Sequence, residues 1–360
     1  MRFLLTLALA ACAALASCAT SGDCEALYAA SPQRQGCVFV NLPNPQAKPN
    51  ASGWAIWSRF LFEAKVNAVP VDPIPVQPLT VAQLEALDAN ANHVVRLGHS
   101  SHLLKLGGRY WLIDPVFGER ASPVGFAGPK RFHAPPIALQ ALPPIEGVIV
   151  SHDHYDHLDK PTIEYLAGAG RVQRFFVPLG VKARLVDMGV QADRVQEFDW
   201  WQSADHAGVV LTATPAQHFS GRTLTDRNRT LWAGWVLQTG EQKIYYSSDS
   251  GYFGGFKQIG ERLGGFDLAL IENGAYDAYW SAVHMTPEET AQAFADVRAR
   301  VLYPVHNSTF DLAMHPWRDP LDRLAKLADQ HQITLATPEI GEVLTVGQPR
   351  ANRRWWVDLK

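Results

Sequence analysis

The body of this chain has no cysteine, because all four cysteines lie within the first 37 of its 360 residues. This absence excludes a thiolate nucleophile and a thiolate metal ligand from the main domain. A metal site there must therefore use nitrogen and oxygen donors. Cys24 and Cys37 either pair in an oxidising compartment, with a ring worth roughly 3 kcal/mol, or stay as free thiols near the terminus.

The chain also lacks an excess of positive charge. It has 32 Lys and Arg against 35 Asp and Glu, a formal net charge of −3. Binding of nucleic acid through bulk electrostatics is therefore excluded as a leading function. No repeat of 20–50 residues is visible, which argues against a solenoid. A hydrophobic content of 47% is enough for the core of one large domain or of two ordinary ones.

Long apolar runs are absent except at the N-terminus, "MRFLLTLALAACAALASCAT". This stretch has one Arg followed by about a dozen apolar residues, which predicts a secretory signal too short to span a bilayer. "LASC" resembles the lipobox of bacterial lipoproteins, so Cys18 is the predicted lipid anchor, with Cys12 as the competing position. The predicted location is the bacterial cell envelope, lipid-anchored and facing the periplasm. Ordinary cleavage to a free periplasmic protein is the alternative.

Composition divides the remainder into three parts after the signal peptide of residues 1–18. Residues 19–90 are predicted to be a tether and an aromatic helical extension, with an exposed tether over 19–50, which is rich in Pro, Asn and Ser. Residues 91–348 form the predicted main domain, and 349–360 a C-terminal tail. "WAIWSRFLFEAKV" (54–66) predicts a helix that either packs against the main domain, lies on a membrane or lines a lipid groove.

Short β-type runs separated by Gly, Pro and Asp begin near residue 92. Helical patterns lie between them, and in "TPEETAQAFADVRA" (286–299) Thr286 and Glu289 form a predicted capping box with Pro287 in the first turn. This order predicts a layered α/β sandwich. The predicted strands are "HVVRL", "YWLID", "GVIVS", "RFFVP", "GVVLTAT", "KIYYSS", "LALIE", "RVLYPV" and "ITLATP".

Four of these apolar runs each end at a side chain that can bind a metal: His152, His218, Asp249 and His306. The ends of strands at one edge of a sheet are where α/β proteins assemble their sites. "SHDHYDH" (151–157) adds further donors. His152 and His154 are two residues apart and can share one cation, whereas a turn would let Asp156 and His157 face a second. Imidazole and carboxylate ligands suit Zn(II), with Fe(II) and Mn(II) as alternatives.

The order H-x-H-x-D-H, later His, later Asp, last His resembles the metallo-β-lactamase superfamily, an αββα four-layer sandwich with a two-metal site. The resemblance implies that His152, His154 and His218 hold one ion, that Asp156, His157 and His306 hold the other, and that Asp249 bridges both. Further segments are similar to the N-acyl-phosphatidylethanolamine-hydrolysing phospholipase D branch and its bacterial relatives: "LGHSSHLLKLGGRYWLIDPVFGERASPVGFAGPKRF" (97–132), "TPAQHFSGR" (214–222), "GAYDAYW" (274–280) and "HMTPEE" (284–289).

The expected activity is hydrolysis of a phosphodiester, phospholipase D-like, on an N-acylated or related phospholipid. Two cations can lower the pKa of a shared water, which supplies a bridging hydroxide at neutral pH. Asp156, Asp249 and His284 are the predicted catalytic residues. A lactonase of the ascorbate-phosphate lactonase type is the main alternative. β-Lactam hydrolysis is less favoured, because a bridging carboxylate without a Cys ligand departs from the antibiotic-hydrolysing enzymes. A non-catalytic envelope protein is also less favoured, because all the metal ligands are present.

The remaining polar and aromatic residues have open roles. His99 and Asp114 are predicted to brace the site or the sheet. Tyr155 either contacts the leaving group or packs, and Tyr276 and Trp280 are predicted substrate contacts. A wider set of aromatic residues adjoins the ligand-bearing strands and either walls an acyl groove or packs in the core: Trp201, Tyr252, Phe253, Tyr276, Tyr279 and Trp280.

Overall fold

The computed structural model describes residues 28–45, 50–348 and 353–360, apart from the side chains of Trp57 and Leu61. Two large β-sheets face each other, and helices cover their outer faces. This is the αββα sandwich that the sequence predicted. The signal peptide, Cys18 and Cys24 lie outside the described residues.

The first sheet has seven strands and carries the histidine-rich segment at the end of a central strand. A two-stranded ribbon, β1 (Arg34–Gln35) and β2 (Val38–Phe39), precedes it. The strands of the seven-stranded sheet lie in the spatial order β15-β3-β4-β5-β6-β7-β8. Neighbouring strands are antiparallel from β15 to β5 and parallel from β5 to β8. Its strands are β3 (His93–Gly98), β4 (Ser101–Leu106), β5 (Arg109–Ile113), β6 (Ile145–Ile149), β7 (Val172–Pro178), β8 (Val195–Phe198) and β15 (Val343–Thr345).

The second sheet has six strands in the order β14-β13-β12-β11-β10-β9. Strands β9 to β12 are antiparallel, and β12 to β14 run parallel to one another. Three of them lead into predicted ligands at their carboxyl ends. The strands are β9 (Ser203–His206), β10 (Val209–Thr214), β11 (Gly234–Thr239), β12 (Gln242–Tyr246), β13 (Leu268–Glu272) and β14 (Leu302–Val305).

Successive side chains along a strand point to opposite faces of the sheet, so a strand buried on both faces contributes both to the core between the sheets and to the core under the outer helices. In β13, Leu268 and Leu270 enter the core between the sheets, whereas Ala269 and Ile271 face the outer helices. Both faces of such strands are buried, so they read as continuous apolar runs. The helices are α1 (Gly53–Phe62), α2 (Val81–Glu85), α3 (Lys160–Gly168), α4 (Val181–Asp187), α5 (Gly255–Leu263), α6 (Pro287–Val297) and α7 (Asp319–His331).

The capping box of α6 is present, with Thr286 accepting from the Glu289 N–H and Glu289 reaching back to the Thr286 N–H.

Helix α1 is shorter than predicted, and its side chains divide between two environments. Phe60 stacks on Trp280 with ring centroids 5.5 Å apart, whereas Trp54 is 76% exposed. None of the helices within the described ranges has the length and apolar content that a membrane span requires.

Two expectations from the sequence are wrong. Residues 28–45 are not an exposed tether, because Phe39 is fully buried in the core between the sheets and Cys37 is disulfide-bonded. "ITLATP" (333–338) forms no strand, and Leu335 makes only an isolated bridge to Leu302. The predicted partner of Cys37, Cys24, is outside the described residues.

Candidate metal centre

The predicted donors follow four strands that end at one side of the sandwich: β6, β10, β12 and β14. The chain turns sharply there. His306 directly follows β14 and has φ 63°, a left-handed conformation that ends the strand. A Cβ at Gly274 would collide with the carbonyl oxygen of His306, so this close approach requires glycine. The turn after β6 is closed by the Leu158 N–H, which donates to the His154 carbonyl at 2.8 Å.

Three imidazoles form the first donor set. His154 Nδ1 lies 2.9 Å from His152 Nε2 and 3.2 Å from His218 Nε2. The far ring nitrogens have their own partners, since His152 Nδ1 is 3.0 Å from Ser151 Oγ and His218 Nδ1 is 3.0 Å from the Val283 carbonyl. Because Val283 O can only accept, His218 carries its proton on Nδ1 and presents an Nε2 lone pair to the set.

The second donor set combines carboxylates with imidazoles. Asp156 Oδ2 lies 3.2 Å from His306 Nε2 and 3.5 Å from His157 Nε2. Asp249 stands between the two sets. Its Oδ1 is 3.2 Å from His157 Nε2, and its Oδ2 is 3.0 Å from His306 Nε2 and 3.9 Å from His152 Nε2. The structure therefore brings together all seven residues that the sequence predicted as ligands.

The two sets differ in charge. Burial lowers the pKa of His152 and of His218 well below the ordinary value, so both are neutral near pH 7. Burial alone would lower the pKa of His306, but the neighbouring carboxylates of Asp249 and Asp156 have the larger effect and raise it to about 10. One side of the centre thus offers neutral nitrogen donors, and on the other side the carboxylates favour a positive charge, which a bound cation would supply in place of the imidazolium proton.

Unpaired atoms at the centre fit a bound cation. Asp249 Oδ1 and His157 Nε2 are buried and lie 3.2 Å apart, but neither makes a hydrogen bond of normal geometry among the described residues. Buried polar atoms of this kind normally have one. Groups of three or four donor atoms lie within 4.8 Å of one another on both sides of Asp249. Nitrogen and oxygen donors without sulfur fit Zn(II), Fe(II) or Mn(II), and the geometry does not select among them.

The bracing roles predicted for Asp114 and His99 agree with the contacts. The Asp114 carboxylate is fully buried, accepts from the Ser151 N–H at 2.7 Å and the Tyr246 hydroxyl at 2.6 Å, and lies 2.7 Å from His157 Nδ1. It therefore directs Nε2 of His157 towards the centre. His99 Nε2 lies 3.0 Å from Asp156 Oδ2, close enough to orient that carboxylate or to serve as a further donor.

Glu272 is a site residue that the sequence analysis missed. It is fully buried at the end of β13, and its Oε1 contacts Nδ1 of His284. Burial and the nearby Asp249 raise the pKa of Glu272, whereas burial lowers the pKa of His284 to about 4. The rule that selected Asp249, a polar residue closing an apolar run, applies equally to "LALIE" and would have found it.

The predicted substrate contacts have partners within the protein. The Tyr155 hydroxyl donates to the Arg222 carbonyl at 2.7 Å, and the Tyr276 hydroxyl bonds to Asp319 on α7. The Trp280 indole donates to the Ala275 carbonyl at 2.7 Å. Substrate contact by these three side chains stays a prediction.

The other aromatic residues that adjoin the ligand-bearing strands also have contacts within the protein. Phe253 is 2% exposed and packs with the helices of the outer layer, so an acyl-groove role is wrong for it. Tyr252 donates its hydroxyl to Asp296 at 2.6 Å, and the guanidinium of Arg262 lies over the ring of Trp201 at 4.2 Å. Tyr279 belongs to an apolar cluster with Trp280, beside the metal centre.

Comparison with known proteins identifies the family. Residues 109–307 match the beta-lactamase superfamily domain. An uncharacterised protein of Mycobacterium tuberculosis is 44% identical over 272 residues, covering 75% of this chain and 73% of that protein. The N-acyl-phosphatidylethanolamine-hydrolysing phospholipase D 1 of Caenorhabditis elegans is 33% identical over 336 residues, covering 87% of this chain and 94% of that protein.

A solved structure shows the same fold. The metallo hydrolase Igni18 from Ignicoccus hospitalis superposes with a TM-score of 0.55 at 21% identity, covering 72% of this chain and 99% of that one. The sequence matches, the sandwich and the donor cluster agree with one another. The chain therefore belongs to the metallo-β-lactamase superfamily of metal-dependent hydrolases, in the branch that contains the N-acyl-phosphatidylethanolamine-hydrolysing phospholipases D.

Proposed function

We propose that this protein hydrolyses the headgroup phosphodiester of an N-acylated or related phospholipid at a two-metal centre. The observation that carries the proposal is the position of Asp249, whose two oxygens lie between an all-histidine donor set and a mixed one. Nearly full-length similarity to a phospholipase D of this specificity supports the choice of a phosphodiester.

The residues divide the work. One ion would be held by His152, His154 and His218. The other would be held by Asp156, His157 and His306, and Asp249 would bind both ions. Zn(II) is the first choice of metal. Two bound cations supply an activated water nucleophile and positive charge that stabilises the transition state, typically by several kcal/mol. The chain itself keeps the donors in place: Asp114 orients His157, and the Val283 carbonyl orients His218.

His284 is the proposed proton carrier for the leaving oxygen. Its ring centroid lies 5.1 Å from that of His218 and 5.3 Å from that of His306, and its side chain is 13% exposed. Glu272 occupies Nδ1, which leaves Nε2 as the ring atom that can hold or move a proton at the centre. In hydrolysis, water adds to phosphorus, the P–O bond to the N-acylethanolamine breaks, and the departing oxygen gains a proton.

An exposed apolar surface beside the centre supports a lipid substrate. The residues that line a groove of about 820 Å³ include Phe60, Val69, Val71 and Phe132. Phe132 also lines the small pocket that includes His99 and His306, so groove and centre are neighbours. Among the exposed large apolar side chains, Phe60, Val69 and Val71 line this groove, and exposed apolar patches mark sites of interaction.

Attachment to a membrane through Cys18 is part of the proposal. An anchored enzyme would meet a phospholipid in the plane of the bilayer. We expect the native protein in the membrane fraction of cells and a Cys18→Ser variant in the soluble fraction. Unchanged fractionation of the variant would remove this lipid anchor from the account and leave the hydrolase assignment intact.

The substrate is tested by single-turnover assay of the metal-loaded full-length protein. N-Acyl-phosphatidylethanolamine in mixed micelles should yield phosphatidate and N-acylethanolamine. The reaction should stop after chelation and return when metal is restored. Ring opening of a lactone panel without phosphodiester cleavage would establish the lactonase alternative. If the protein binds metal tightly but turns over neither the phospholipid, nor a lactone, nor a β-lactam, the result would favour a non-catalytic envelope protein.

A further inference from the structure

The N-terminal segment of residues 28–45 crosses the body of the protein next to the loop that carries His218. Phe39 is fully buried between the two sheets, and its N–H donates to the Asn228 carbonyl at 2.8 Å. Cys37 is disulfide-bonded, and the Tyr28 hydroxyl donates to Glu197 at 2.9 Å. This segment is therefore fixed to the main domain at several points along its length.

Asn41 in this segment holds the backbone of a predicted metal ligand. Its Nδ2 donates to the His218 carbonyl at 2.7 Å, and its Oδ1 accepts from the His218 N–H at 3.0 Å. The same Oδ1 accepts from the Trp232 indole at 3.0 Å, which orients the amide. One side chain thus bonds both main-chain polar groups of His218, on a loop where no strand ladder supports that residue.

Two contacts then decide where Nε2 of His218 lies. Asn41 fixes the backbone, and the Val283 carbonyl fixes the ring through Nδ1 at 3.0 Å. Both act on a residue whose Nε2 is 3.2 Å from Nδ1 of His154. A partner that orients a ligand typically changes metal affinity by about 10–100-fold when it is removed.

We propose that Asn41 is a positioning residue for the metal ion held by His152, His154 and His218. It lies outside residues 109–307, the part of the chain that matches the family domain. The N-terminal segment thereby completes the metal centre from outside that domain. The inference rests on the proposed two-metal centre and does not depend on which substrate is cleaved.

Metal retention in Asn41→Ala tests this inference. We expect one of the two ions to dissociate from the full-length variant about 10–100-fold more readily in competition with a chelator. With Co(II) in place of the native metal, the visible absorption of that one site should change while that of the other persists. Asn41→Asp keeps the acceptor contacts of Oδ1 but sets a carboxylate oxygen against the His218 carbonyl in place of the donor, so its retention of that ion should also fall below native.

Asn44→Ala is the matched control. Asn44 belongs to the same segment and donates to the Tyr252 carbonyl at 2.8 Å, but does not bond to a predicted ligand. It should retain both ions like the native protein. Native retention by Asn41→Ala, or equal loss of both ions in both alanine variants, would overturn the inference. Thermal unfolding of the chelated proteins distinguishes a folding defect from a loss of metal affinity. If Asn41→Ala does not fold, the same metal measurements on Asn41→Asp test the inference.

Discussion

Replacing Asp249 by alanine should lower the rate of hydrolysis by more than about 100-fold and remove at least one metal ion. Loss of an outer partner of a ligand already costs about 10–100-fold, and Asp249 is proposed to contact both ions directly. Its carboxylate is 1% exposed and lies within 3.2 Å of His157 Nε2 and 3.0 Å of His306 Nε2. Without it, Asp156 would be the one predicted carboxylate ligand left beside these two imidazoles.

Elemental analysis and steady-state kinetics on the same preparation give both quantities. Asp267→Ala is a suitable control, because Asp267 is also a carboxylate beside β12 and β13 but bonds to Arg300 and the Lys243 N–H. That variant should keep its metal and most of its rate. Full activity of Asp249→Ala would defeat the assignment of Asp249 as a ligand shared by two ions.

Replacing Asp114 by alanine should destabilise the fold by roughly 3–5 kcal/mol, the usual cost of removing one partner of a buried ion pair. The carboxylate is fully buried and serves the Ser151 N–H, the Tyr246 hydroxyl and Nδ1 of His157 at once. Its loss leaves each of these without that acceptor. The ion held with His157 should also dissociate more readily, because the ring is no longer oriented.

Urea unfolding of the chelated protein measures the first effect, and chelator competition measures the second. Ser101→Ala perturbs the same loop, since the Ser101 hydroxyl donates to the Asp114 carbonyl at 2.6 Å. That change should cost about 2 kcal/mol, because the hydroxyl also accepts from the Val116 N–H at 3.0 Å and one hydrogen bond is typically worth about 1 kcal/mol, and it should leave metal retention unchanged. Native stability together with native metal affinity in Asp114→Ala would show that this carboxylate does not orient His157.

Much of the sandwich was predictable because its strands are buried on both faces. "LALIE" and "KIYYSS" read as continuous apolar runs, and they form β13 and β12 with side chains alternating between two cores. Strand β4, "SHLLKL", was not predicted because three of its six residues are polar. They are buried through long-range bonds: His102 Nε2 is 3.1 Å from the Tyr303 hydroxyl, and Lys105 donates to the Leu87 carbonyl at 2.7 Å.

The ligand set was predictable for a different reason. Four of the seven predicted ligands follow apolar runs, the other three lie within "SHDHYDH", and the order of His and Asp along the chain is specific to the family. The supporting residues carry no such pattern. Asn41 is 177 positions from His218, and a single Asn in a Pro-rich segment looks like a turn residue. Only the fold shows that its amide meets both main-chain groups of a ligand.

The proposed metal pair is tested most directly by anomalous diffraction from crystals of the metal-loaded protein. Two peaks should appear, one among His152, His154 and His218 and one among Asp156, His157 and His306, with Asp249 between them. A single peak, or peaks away from Asp249, would contradict the two-metal account and with it the proposed route of hydrolysis.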